Sequence, residues 1–333
     1  RELLERVYGS DLAATVAPRL DALVAAHRRS APGRPEDRWT EHDAWLISYP
    51  DQFGVGDGQG GLRAVAEAMA ALAPELNGVH VLPFHPSSGD GGFSVEDYGA
   101  VAPEAGAWDD VRRLAGSHRL VADAVVNHVS ARSVWFRDHL AGDPARAGFF
   151  RTVEPGTDLG LVVRPRPGAP LTRFARADGT EADYWTTFSA DQVDLDYRDP
   201  EVLLAVCEAI FRLISAGAVA IRLDAVAFLW KDPATTSMHL PQTHAVVALV
   251  RSCVDEIDPG VVLITETNVP HADNVAYFGS RARPEAHAVY QFSLAPLVLH
   301  AVQTGETGPL VRWASSQVAR EGTTVLNFLA SHD

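Results

Sequence analysis

The stretch Ala220-Ile221-Arg222-Leu223-Asp224-Ala225, with Val219 before it, decides how the chain is read. Its apolar and β-branched residues predict a short buried strand, and alternation puts Arg222 and Asp224 on one face at the strand's C-terminal end. A carboxylate beside a permanently charged guanidinium stays ionised at neutral pH, as a carboxylate nucleophile must. A structural ion pair accounts for the same two residues equally well.

Around this strand, strand and helix patterns alternate, which predicts parallel βα units. Strands are expected over 44–49, 78–82, 120–126, 219–224, 288–292 and 323–328, with a further strand ending at Glu266. Helices are expected over 61–72, 107–115, 200–215, 242–257, 297–302 and 309–319. Residues 1–30 carry Leu3, Leu4, Val7, Leu12, Val16, Leu20, Leu23 and Val24 at helical spacing and read as two surface helices. The rhythm breaks between Ser130 and Arg198, where prolines, glycines and aromatics (Trp135, Phe149, Phe150, Phe174, Tyr184, Trp185, Phe188) read as an inserted small domain. The fold class is therefore α/β, a (β/α)₈ barrel with an insertion after the third strand. The divisions are a helical extension at 1–38, barrel parts at 39–129 and 199–333, and the insertion at 130–198.

Three further apolar strands end in polar groups: Val121-Ala122-Asp123-Ala124-Val125-Val126-Asn127-His128, Leu263-Ile264-Thr265-Glu266, and Phe328-Leu329-Ala330-Ser331-His332-Asp333. With the Asp224 strand, in this order and spacing, they resemble the four signature motifs of the α-amylase superfamily (glycoside hydrolase family 13). The resemblance implies Asp224 as nucleophile, Glu266 as general acid/base and Asp333 as stabiliser of an oxocarbenium-like transition state. Arg222 would hold Asp224 ionised, and His128 and His332 would bind sugar hydroxyls. A retaining reaction further requires the Asp224 and Glu266 carboxyls to lie roughly 5 to 5.5 Å apart. In this family an eighth βα unit and a β-domain follow, so the chain reads as truncated after strand seven, with an open edge and poor stability in isolation.

Other stretches narrow the resemblance to the sucrose phosphorylase branch, whose members transfer glucose to phosphate. Gly89-Asp90-Gly91-Gly92-Phe93 and Gln192 match residues that shape the sugar and acceptor subsites there. Arg166, in the stiff loop Arg164-Pro165-Arg166-Pro167-Gly168, matches a phosphate contact. Phe228-Leu229-Trp230-Lys231 and the run from His239 to His244 resemble the phosphorylases of glucosylglycerate, glucosylglycerol and sucrose 6-phosphate. Phe228, His239 and His244 are accordingly candidates for the acceptor side, with a loop-fixing role open for the two histidines. The implied activity is phosphorolysis of a small α-glucoside. The alternatives are a glucosidase or transglucosidase of the same fold, and an inactive fragment or noncatalytic relative.

Composition bounds the partners. Hydrophobic residues make up 47% of the 333 residues, enough for a sizeable core, and the net charge of −15 argues against nucleic acid and anionic membranes. The expected partners are a small-molecule glucoside and inorganic phosphate. Lys231 is the single lysine among 28 basic residues, so arginine abundance carries no functional signal by itself. Cys207 and Cys253 lie in apolar helical runs and read as core thiols of a reducing, cytoplasmic compartment. No organic cofactor is implied. The asparagine matching Asn127 helps bind calcium in many relatives, yet the insertion lacks a dense acidic cage, so no metal is expected.

Overall fold

The computed structural model describes residues 1–29, 33, 39–40, 42–54, 60–317 and 321–332. Its centre is a seven-stranded sheet formed by β1 (Trp45–Ser48), β2 (Gly78–Val81), β3 (Arg119–Val125), β9 (Ala220–Asp224), β10 (Val262–Thr265), β13 (Ala288–Tyr290) and β14 (Thr324–Leu326). Strands neighbouring in this order are paired in parallel throughout. The sequence periods place every one of these strands, with ends shifted by a few residues.

The sheet is an arc of a (β/α)₈ barrel, and its two faces read out the alternation. Val121, Ala220, Val262, Ile264, Ala288 and Tyr290 pack together on the inner face. Ala122, Ile221, Leu223, Leu263 and Val289 join the larger outer core. That outer core is closed by α2 (Leu62–Leu72), α3 (Trp108–Ser117), α5 (Pro200–Ser215) and α6 (Pro241–Ile257). β2, β9 and β10 are buried along their whole length, as parallel strands covered on both faces are, and are apolar except for His80, Arg222, Asp224 and Thr265. The same alternation brings Arg222 and Asp224 inward at the strands' C-terminal ends.

Residues Glu2–His27 form α1, two helical pieces meeting at Gly9, whose φ of 78° only glycine adopts readily. The two expected surface helices are thus present, packed on α5 and α6 through Leu4, Ala13, Val16, Leu20 and Val24. Arg19 pairs with Glu201 of α5, and Arg29 with Asp258 at 2.7 Å.

Between β3 and α5 lie β4 (His128–Ser130), α4 (Val134–Leu140), β5 (Thr152–Val153), β6 (Leu171–Ala175), β7 (Glu181–Trp185) and β8 (Gln192–Asp194). The order β5-β7-β6 makes a small antiparallel sheet around Phe136, Phe150, Phe174 and Tyr184. β4 pairs antiparallel with β8 and ties both ends of this excursion to the barrel mouth. The helix α4 escaped the sequence reading because it spans only seven residues, under two turns, capped by the Ser133 hydroxyl. Also unforeseen are α7 (His271–Ala276) and the hairpin of β11 (Gly279–Ser280) with β12 (Arg283–Pro284), both too short to set up a period. The chain then runs through α8 (Leu294–Thr304) and α9 (Gly308–Ser316) to β14.

Candidate active site

Arg222 is the hub. Its buried guanidinium donates through one nitrogen to Asp123 and, at 2.9 Å, to Asp224 Oδ1; the other terminal nitrogen lies 4.0 Å from Glu266 Oε2. The register explains the grouping, because Asp123 pairs with Arg222 and Val125 with Asp224 across β3 and β9. The guanidinium is sandwiched 5.6 Å from the Phe93 ring centroid and 5.2 Å from that of Tyr290. Glu266 is fixed from the other side: Ala225, left-handed at φ 53°, turns its amide to donate to Glu266 Oε2 at 3.1 Å. A non-glycine residue in that conformation is strained, and here the strain aims the chain directly after Asp224.

Arg222 reaches Asp224 as expected, but it serves a second carboxylate as well. Burial pushes the Asp224 carboxyl up from its ordinary value, and Arg222 offsets this only in part. The guanidinium is shared: burial also opposes ionisation of Asp123, but Arg222 and His80 outweigh it and hold Asp123 at about 2. Arg222 is therefore anchored chiefly on Asp123, and Asp224 receives the remainder of its field.

Sugar-side candidates converge above this hub. The Phe93 and His332 rings stack at 5.4 Å, 9° from parallel. His128 is buried, with Nε2 3.1 Å from the Phe93 carbonyl oxygen and 3.1 Å from Gln192 Nε2. Gln192 donates to Asp90 Oδ2 at 2.8 Å. Phe188 links His128 to Phe228 through ring contacts of 5.2 Å and 5.5 Å. Burial lowers the His128 pKa, which favours the neutral ring.

A lysine orients the amide beside that ring. Lys231 Nζ lies 2.7 Å from Asn127 Oδ1 and 3.0 Å from Asp194 Oδ2, so the Asn127 amide nitrogen donates to Asp194 Oδ2 and faces His128 Nδ1, each at 3.2 Å. The asparagine oxygen that the resemblance links to calcium is thus already occupied by an ammonium. Lys231 is not among the site residues expected from sequence. Its signal was available: the only lysine in an arginine-rich chain, inside an apolar run.

Arg166 is exposed and lines a cavity of about 600 Å³ together with Asp90, Phe188 and Gln192. Arg164, in the same loop, donates to the carbonyls of Thr187, Ala169 and Phe188 and pins the loop. His239 and His244 both turn to Tyr277, the first by a 2.9 Å hydrogen bond and the second by stacking at 4.5 Å, and His244 also bonds Glu285. These contacts match the loop-fixing alternative. Asp333 lies outside the described residues.

A parallel βα arc with two carboxylates and a shared guanidinium at its C-terminal mouth defines a barrel site of the kind that holds a ligand among strand-end loops. The chain belongs to the α-amylase family: residues 47–332 match the model of the alpha amylase catalytic domain. It is similar to the glucosylglycerate phosphorylase of Escherichia coli, 45% identical with 100% of this chain and 59% of that protein covered. The glucosylglycerate phosphorylase of Allomeiothermus silvanus is 49% identical, with 90% of this chain and 54% of that one covered. Among solved structures, sucrose 6F-phosphate phosphorylase from Thermoanaerobacter thermosaccharolyticum superposes with a TM-score of 0.77 at 25% identity, covering 89% of this chain and 60% of that one. The chain thus spans between 54% and 59% of the length of the curated relatives it matches most strongly.

Proposed function

We propose that the chain forms the barrel portion of a retaining glucoside phosphorylase, which cleaves a small α-glucoside with inorganic phosphate to give α-glucose 1-phosphate and a free acceptor. Glucosylglycerate is the foremost substrate candidate. The observation that carries this reading is the pairing of Asp224 and Glu266 on one buried guanidinium, in a chain 45% to 49% identical to proteins named glucosylglycerate phosphorylase.

In this mechanism Glu266 gives its proton to the leaving oxygen as Asp224 attacks the anomeric carbon. The acceptor departs and a covalent glucosyl-enzyme remains. Phosphate, held near Arg166, then attacks the same carbon while Glu266 takes up its proton, and Asp224 leaves. Two inversions give net retention. Arg222, His128, His332, Asp90, Phe93 and Gln192 hold the glucosyl unit, Asp333 steadies the transition state, Phe228 stands toward the acceptor, and His239 and His244 fix the loop beside it through Tyr277 and Glu285. The division into a helical extension (1–38), two barrel parts (39–129 and 199–333) and an insertion (130–198) belongs to the same reading. So does a cytoplasmic location, supported by the two buried free cysteines. Among the described residues no helix is long and apolar enough to cross a membrane.

The test is glucose 1-phosphate release by the full-length protein, with and without phosphate, over glucosylglycerate, glucosylglycerol, sucrose and sucrose 6-phosphate. Phosphate-dependent product from one of them supports the reading. Free glucose released equally fast without phosphate overturns it in favour of a hydrolase.

A further inference from the structure

We propose that His80 is a positioning residue for Asp224, acting through Asp123 and Arg222. His80 lies on β2 inside the barrel, buried, with Nε2 2.7 Å from Asp123 Oδ2. The other oxygen of Asp123 accepts from Arg222, and the same guanidinium nitrogen reaches Asp224 at 2.9 Å. Tyr290 closes the chain of contacts: its hydroxyl stands 3.4 Å from His80 Nδ1 while its ring underlies the guanidinium. A path of hydrogen bonds therefore runs from Tyr290 through His80, Asp123 and Arg222 to Asp224, entirely within the inner face of the sheet.

The physical argument concerns which carboxylate holds the guanidinium. A fully buried carboxylate keeps its orientation only while both oxygens have donors. His80 supplies the donor to Oδ2 and so leaves Oδ1 turned toward Arg222. Without it, Asp123 is free to rotate and take both terminal nitrogens of Arg222, drawing the guanidinium down the barrel and away from Asp224. Asp224 would then lose its one hydrogen-bonded cation and its fixed rotamer. In parallel strands this geometry is available because His80 pairs with Val121, which puts Asp123 one inward position further along β3. A histidine that merely filled space would need neither the 2.7 Å contact nor the tyrosine beyond it.

The proposal rests on the reading of Asp224 as nucleophile, and its test is independent of phosphorolysis. The probe is 5-fluoro-α-D-glucosyl fluoride, applied to the full-length protein. Asp224 attacks the anomeric carbon, fluoride leaves with the bonding pair, and the slowly hydrolysed adduct is followed by intact mass and located by peptide mapping. His80→Leu is expected to label about 100-fold more slowly, with the half-saturating probe concentration moved less than about 3-fold. His80→Gln, whose amide nitrogen overlays Nε2, should restore labelling to within about 5-fold of wild type. Labelling of His80→Leu at the wild-type rate would overturn the proposal. So would His80→Gln labelling as slowly as His80→Leu while showing a wild-type thermal midpoint. A wild-type protein unlabelled at Asp224 removes the nucleophile assignment and the proposal together, whereas a labelled wild type that forms no glucose 1-phosphate removes only the phosphorolysis.

Discussion

Lys231 Nζ stands 2.7 Å from Asn127 Oδ1, and this buried contact orients the Asn127 amide nitrogen between Asp194 and His128. The ammonium also neutralises Asp194, which accepts from both the backbone and the hydroxyl of Thr187. Replacing Lys231 by Met leaves that carboxylate buried without its cation. The expected cost is about 3 to 5 kcal/mol in unfolding free energy. Urea denaturation of the full-length protein measures it, and an unchanged midpoint would show that Asp194 does not depend on the ammonium.

Asp224 and Glu266 can be separated by their leaving-group dependence. Glu266→Gln should slow turnover of the natural glucoside by about 10²- to 10⁴-fold, because the departing alkoxide is no longer protonated. With α-glucosyl fluoride, which needs no acid to depart, the first step should be nearly unaffected. Asp224→Asn should abolish reaction with both donors. Equal sensitivity of Glu266→Gln to the two donors would contradict the acid/base assignment.

Arg164 and Arg166 should behave differently despite their shared loop. Arg164→Ala removes a guanidinium bonded to loop carbonyls and should cost about 1.5 to 3 kcal/mol of stability. Arg166→Ala should leave the melting temperature within about a degree of wild type while raising the KM for phosphate about tenfold or more. Phosphate saturation curves and thermal melts on the same samples decide the matter.

The pH dependence of stability has two opposed contributions. Asp123 is held at about 2, below its ordinary 3.8, so its stabilisation is present above the ordinary value and is lost as pH falls toward 2; it amounts to about 2 kcal/mol. Burial pushes Asp196 up to about 6 against the pull of Arg151 and Lys231. Its contribution is present below its ordinary value and fades as pH rises through 6. Asp196→Asn should therefore flatten the decline in melting temperature between about pH 4 and pH 6.5. A decline as steep in the variant as in wild type would mean that other groups cause it.

Much of the site was legible because its chemistry sits at strand ends. Asp224, Glu266, His128 and His332 each close an apolar run, and parallel strands must bring such ends to one mouth. What stayed hidden was pairing between side chains far apart in sequence. His80 is the one polar side chain in the run Gly78–Val81, and nothing in that run indicates that it meets Asp123. Ala225 carries no turn signature, because its left-handed backbone is imposed by the packing around it and not by its own preference.

By itself the sequence determined the order of βα units and the identity of the strand-end carboxylates, since hydrophobic period and position in a strand are local properties. Tertiary structure alone decided how charge is distributed among them. Arg222 could have served Asp224 exclusively; the register of β3 against β9 gives its stronger anchor to Asp123 instead. Lys231 could have been an ordinary surface lysine; burial against Asn127 and Asp194 makes it an internal cation. Electrostatics in a low-dielectric interior depends on distances of a few ångströms between distant segments, and only the folded chain sets those distances.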